Sequence, residues 1–392
     1  MTRRPGPRIR AVVEHGPAPR TRGDTADGGG WMLVGQDGGQ SIPLADGRHL
    51  VVFADTLLAE TPLATGGAVS NGIRVEQLRS GGGRFLGNCA ALSPATAPET
   101  SNWAETLGAL EYFRDADGWP RPVLEPTPAE EALGVRLWPQ HGLSLDPSRV
   151  LLAYLAIQHL GADTWGFGEI GSGLAVVDLA TGTGERLRFR DDAPDEPGHD
   201  EWCTWPSIDD GLHAGVCFLR VDRVVYVYAT HRTGFTWHAL VARVDADRVA
   251  DPLAYRYFAG ATSSAIESDA RWSPERGEAV PLCPCGGELT ASWNAHLGAF
   301  LLTTIDSHRS ALVLRTAPAP WGPWSDPSEV RGLHRAPRNE LVGLAFEHAS
   351  MARDGGRRIE VSYCQPRFEQ NRLLTITFAD PSKRTKSRSA RT

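Results

Sequence analysis

Gly35-Gln36-Asp37-Gly38-Gly39-Gln40-Ser41-Ile42-Pro43-Leu44-Ala45-Asp46-Gly47-Arg48-His49-Leu50-Val51-Val52-Phe53-Ala54-Asp55-Thr56 reads as one β-hairpin with a carboxylate on each leg of its open end. Asp46-Gly47 supplies the turn, because glycine takes positive φ without steric cost and aspartate tolerates it. The unbroken apolar run Leu50 to Phe53 predicts a strand buried on both faces. Folding about Asp46-Gly47 brings Asp37 near Asp55 and Thr56. Facing residues on paired strands are roughly 5 Å apart and diagonal ones about 7–8 Å. Two carboxyl groups that share acid–base work on a glycosidic bond stand about 5–10 Å apart. Asp55 directly follows an apolar strand, where aspartate is disfavoured, and a buried unpaired carboxylate costs several kcal/mol. It therefore needs a partner or a chemical task. The alternative is structural: Asp37 caps a loop, and a one-residue slip in register would put the two side chains on opposite faces.

The chain has 392 residues, enough for one large β domain or two average ones. Its 42 Gly, 28 Pro and 12 Trp suggest many short strands and turns. A net charge of −7 gives no reason to expect a nucleic-acid partner. No run of about 18 apolar residues exists, so no membrane association is expected. Met1 to Arg22 is Arg- and Pro-rich without an apolar core, so as written it is no secretory signal. A cytoplasmic location is expected, with secretion as the alternative. Of Cys89, Cys203, Cys217, Cys283, Cys285 and Cys364, only Cys283-Pro284-Cys285 is clustered, with no second ligand pair at zinc spacing. Thiols, no metal, no cofactor and a monomer are expected.

Residues 1–30 are expected to be poorly ordered, and 381–392 to be a basic, solvated tail. Between them lie five β-rich modules. They begin near residue 31 and at Leu137, Gly215, Glu288 and Gly343. Three to four short strands per module, recurring every ~50–80 residues, predict an all-β, five-bladed propeller over 31–380. The main helix is expected at Asn102 to Arg114, N-capped by Ser101, on an insertion (93–135) between blades one and two. In a propeller the innermost strands line a central channel. A site should therefore draw polar residues from the same relative position in each module.

Several segments together resemble a known family. Asp37-Gly38-Gly39-Gln40-Ser41 with Phe53-Ala54-Asp55-Thr56 is similar to its opening blade, which usually reads Phe-Gly-Asp-Thr, so Ala54 departs. Leu137-Trp138-Pro139-Gln140-His141-Gly142 and Gly171-Ser172-Gly173-Leu174-Ala175 resemble blade two, and Val241 to Tyr257 the end of blade three. Gly287-Glu288-Leu289-Thr290, Trp293-Asn294 and Trp321-Gly322-Pro323-Trp324-Ser325 resemble blade four, and Ser362-Tyr363-Cys364-Gln365 blade five. The chain thus resembles, over roughly 31–380, the five-bladed propellers of domain of unknown function 4185. These include endo-D-arabinanases of glycoside hydrolase family 183. Glu347-His348-Ala349-Ser350 departs from the family's fifth blade. The resemblance implies a carbohydrate substrate and a catalytic pair that maps onto Asp37 and Asp55, the residues the hairpin had singled out.

Other residues have readings beside the bland one of ordinary packing. Glu288 is a third carboxylate that would tune a pKa or bind a hydroxyl. His141 follows a Trp-Pro turn and would face the funnel. Trp165, Glu169 and Trp205 would form a stacking platform for sugar rings. Asn88, His231 and Asn294 are further substrate-binding candidates. Glu347 and His348 are adjacent, so at most one faces the channel. The competing classes are a furanoside-cleaving hydrolase, a silent propeller that binds glycan or protein, and a phosphorylase, for which no concentrated basic motif stands out.

Overall fold

A computed structural model describes residues 4–60, 83–95, 103–159, 167–188, 205–206, 211–261, 269–306, 308–334, 343–365 and 371–380. They form five antiparallel sheets, the blades of a propeller. The inner strands are, in order, Gly30–Pro43, Val135–Asp146, Leu212–Val221, Leu289–Asn294 and Gly343–Glu347. Each packs against the next, and the fifth returns to the first.

Alternation explains how the blades stack. Val150 to Ile157, the second strand of blade two, is buried throughout. Leu152 and Tyr154 pack with Ile42, Leu50 and Val52 of blade one. Leu151 and Ala153 pack with Leu212 and Val225 of blade three. A strand buried on both faces must be apolar at every position, which is why its sequence runs unbroken rather than alternating. The same pattern repeats between blades three and four, four and five, and five and one. Each fully buried leucine contributes about 1.5–3 kcal/mol, so the blade interfaces dominate the stability of the ring.

The amino-terminal segment corrects the expectation of disorder. Ile9–Pro17 is the outer strand of blade five, paired with Asn371–Phe378 with Val12 opposite Ile376. Arg22–Asp24 pairs with the first inner strand. The outer strand is largely exposed, so its sequence has little apolar patterning. Backbone hydrogen bonds to a strand more than 350 residues away give it order. The insertion differs too. The helix is Trp103–Gly108, ending at a glycine, and Glu111–Tyr112 extends blade one by pairing with Ala91 and Leu92. A second short helix, Pro128–Ala132, carries a capping box between Thr127 and Glu130. Ser101 and residues 381–392 lie outside the described residues. Cys283 and Cys285 are buried in the apolar contact between blades three and four.

Candidate functional site

The turn of the first hairpin forms as expected. Gly47 has φ of 83° and donates to Leu44, while Asp46 accepts from the Arg48 backbone and side chain. At the open end the register is uneven. Gln36 faces Thr56 and Gly38 faces Phe53, so Asp37 alone stands against Ala54 and Asp55. Two residues opposite one is a β-bulge, a device that re-aims side chains near sites. Gly38 and Gly39 follow at φ of 79° and 96°. A Cβ on Gly39 would sit 3.2 Å from the Phe53 ring, and one on Gly38 3.3 Å from the Ala54 nitrogen. The Asp-Gly-Gly string is thus the chemistry that lets the chain bulge here. Gln36 braces it: its amide donates to Thr56 Oγ1 at 3.2 Å and accepts from the Tyr112 hydroxyl at 3.0 Å. Asn371 of blade five donates to the Gln36 carbonyl at 3.2 Å.

The channel has two mouths. At the carboxy-terminal ends of the inner strands, residues from all five blades (Pro43, Leu143, Leu219, Trp293 and Glu347 among them) line a cavity of about 690 Å³. The inner strands therefore run in one direction, and their first residues surround the opposite mouth. Asp37 precedes Ser41, a residue of that cavity, by four positions on the same strand, and its neighbour Asp55 meets Arg136, the second residue of the second inner strand. Asp37 and Asp55 belong to the mouth where the strands begin.

Charged groups from the other blades reach the same mouth. Asp55 Oδ1 accepts from Trp138 Nε1 at 3.0 Å, and its Oδ2 meets Arg136 Nη1 at 3.4 Å. Arg136 lies over the Phe85 ring, 4.4 Å from its centre. In blade two Glu169 Oε1 is 2.9 Å from Nε2 of His213, the second residue of the third inner strand. Burial would lower the His213 pKa. The Glu169 carboxylate outweighs it, helped by Glu288, and holds the ring above the ordinary histidine value. Glu288 precedes the fourth inner strand. Burial raises its carboxyl pKa; His213 pulls it down and Glu169 pushes it up. Three blades thus contribute Glu169, His213 and Glu288 to one interacting group.

The other expected residues are spread around the ring. His141 belongs to the cavity at the far mouth, where its Nδ1 accepts from the Phe218 backbone at 2.9 Å and burial lowers its pKa to about 4. Asn88 is buried and works structurally: it donates to the Leu124 carbonyl and accepts from the Val123 and Leu124 nitrogens, anchoring the insertion. Asn294 ends its strand, holding Gly356 O and the Leu297 nitrogen. A short polar side chain that satisfies local backbone groups serves a turn as readily as a substrate. His231 pairs with Leu212 one strand out from the channel, at the mouth that holds Asp37. Trp205 pairs with Ser172 in blade two, and Trp165 lies outside the described residues. Glu347 lines the far cavity, whereas His348 turns to Ser41, Ser362 and the Trp103 ring.

Arg136 and His213 were missed. His213 stands at the start of an inner strand, as Glu288 does, and comparison of blade positions would have found it. Arg136 carries no such signal, because its role rests on a contact with another blade.

The sequence profile of the family described as "Domain of unknown function (DUF4185)" matches residues 135–353, more than half of the chain. The match begins at blade two and leaves the first hairpin outside. No curated protein matches. Among solved structures, the chain is similar to the catalytic domain of a Coprinopsis cinerea GH62 alpha-L-arabinofuranosidase (8% identity, 95% of this chain and 98% of that one, TM-score 0.45). It is also similar to a Xanthomonas citri GH43_1 enzyme (12%, 87% and 88%, 0.43) and to a family 117 glycoside hydrolase of Zobellia galactanivorans (10%, 88% and 84%, 0.42). At these identities and scores nothing about activity is taken from them.

Proposed function

The chain belongs to the DUF4185 family, and from that premise we propose that it is a glycoside hydrolase that cleaves a furanoside glycan, D-arabinan or a related polymer. The observation that carries this reading is the bulged hairpin. Its register stands Asp37 opposite Ala54 and Asp55, and Glu169, His213 and Glu288 interact near the starts of the neighbouring inner strands. The substrate class comes from the sequence resemblance.

The roles follow from surroundings. Both Asp55 oxygens serve as acceptors, toward Trp138 and Arg136, so this carboxylate orients and supplies charge rather than a proton. Glu288, with its pKa raised chiefly by burial, keeps a proton to higher pH and is assigned proton donation to the leaving oxygen. Asp37 is assigned the attacking role, as nucleophile or as base for water, on an oxocarbenium-like centre. His213, held between two carboxylates, positions Glu288.

The test incubates the protein with D-arabinan, other furanoside polymers and oligosaccharides, beside Asp37→Asn and Glu288→Gln. Sugar release by wild type and its loss in both variants supports the assignment. A second reading, a catalytically silent propeller that binds glycan, draws on the Arg136–Asp55 pair, since structural carboxylates are tied down in the same way. Binding without release, unchanged in Asp37→Asn, would establish that reading instead.

A further inference from the structure

The far mouth holds a group that the proposed reaction leaves unused. Glu347, on the last position of the fifth inner strand, is 7% exposed and lines the cavity of about 690 Å³. The Ser292 hydroxyl of blade four meets both of its oxygens, at 3.0 and 2.9 Å. One hydroxyl has one proton, so at any moment it satisfies one oxygen. Among the described residues no arginine or histidine forms an ion pair with this carboxyl. Burial raises its pKa to about 7, with the Ser292 contact opposing. A buried acid beside open space and without a cation is costly to keep.

The rim adds a second feature. Trp293, next to Ser292, alternates to the outside and is 53% exposed, the only tryptophan among the exposed large hydrophobic residues that the structure describes. Its ring is propped edge-on by Phe300, 5.0 Å away. The cavity walls combine apolar side chains (Ile42, Leu143, Leu219) with hydroxyls (Ser41, Thr290, Ser350). A rigid exposed indole, a carboxyl acceptor and hydroxyls around a sugar-sized space suit a ligand with apolar C–H faces and many O–H donors.

We propose that this far-mouth cavity is a second carbohydrate site, in which Trp293 stacks on a neutral sugar ring and Glu347 accepts from its hydroxyls. The site is separate from the mouth that holds Asp37, although the choice of a sugar gains weight from the glycosidase reading. A quaternary ammonium ion is the rival ligand, since an indole and a carboxylate also attract cations. The solvent-exposed Arg220 beside the same cavity argues against it.

The test is calorimetric titration of the full chain carrying Asp37→Asn with neutral pentoses, hexoses and their short oligomers, and separately with tetramethylammonium. Sugar binding that weakens at least tenfold in Trp293→Ala and in Glu347→Gln supports the site. Trp293→Ala sits on the rim and keeps the test valid if Glu347→Gln does not fold. Sugar binding unmoved by Trp293→Ala, tetramethylammonium binding without sugar binding, or no binding at all overturns it. Hydrolysis assays on Trp293→Ala in an otherwise wild-type chain separate the two readings. Failure of the glycosidase reading removes sugar release and leaves the Trp293-dependent binding intact. Failure of the second site removes that binding and leaves release intact.

Discussion

The two mouths of the channel treat charge in opposite ways. Where the inner strands begin, carboxylates come in groups with cations between them: Asp55 with Arg136, and Glu169 and Glu288 with His213. Where the strands end, one buried acid, Glu347, rests on a serine hydroxyl. Opposite charges within a few ångströms favour each other's charged forms, although at Glu288 burial outweighs His213 and the carboxyl pKa stays raised. A lone buried carboxyl is pushed toward its neutral form. The first arrangement suits proton transfer and charge stabilisation at a reacting bond, the second recognition of uncharged hydroxyls.

The sharpest way to break the comparison is Asp37→Asn. It is expected to lower sugar release by at least about 100-fold, the scale of a lost acid–base or nucleophilic group, with thermal unfolding little changed. Release at wild-type rate would remove the first mouth from the chemistry. Glu288→Gln is expected to be nearly as severe, and the sign of its pH dependence is fixed. An acid with a raised pKa is protonated below it, so wild-type activity falls as pH rises through that value. The residual activity of the glutamine variant should lack this alkaline fall. A pH–rate profile checks it.

At the other mouth the expected effect is on stability. The folded pKa of Glu347, about 7, exceeds its ordinary value of 4.5, so the native state binds this proton more tightly. Stability from this group is full below about pH 4.5 and declines as pH rises to about 7, by about 3 kcal/mol. Denaturant titrations at pH 5 and pH 8 should show that decline in wild type and its loss in Glu347→Gln. The smallest effect is expected from Arg136→Gln. Its pair with Asp55 is partly exposed, at 30% and 22% for the two side chains, so stability should change by less than about 1 kcal/mol. Activity should still fall several-fold, because Asp55 loses a contact that aims it. Equal activity in the variant would make the pair ornamental.

Much of the architecture was legible because blades are built from local signals. Asp46-Gly47 makes its turn, and Leu50 to Phe53, read from its unbroken apolar run as a strand buried on both faces, is buried at every position. Asn88 and Asn294 bond backbone groups, and their sequence does not announce it. A polar residue near a strand end looks alike in sequence whether it faces a ligand or a backbone group. The exposed strand Ile9–Pro17 was missed because its order comes from pairing, and pairing across the chain leaves little trace in an edge strand's composition.

By itself, then, the sequence determined the hairpin with its two carboxylates, the number of modules and the apolar strands, since turn chemistry and periodicity act over a few residues. Tertiary structure decided which charges meet. His213 finds Glu169 across a blade boundary, Arg136 finds Asp55 across another, and Glu347 is left beside Ser292 at the opposite end. Side chains far apart in the chain are neighbours only after five blades have closed into a ring.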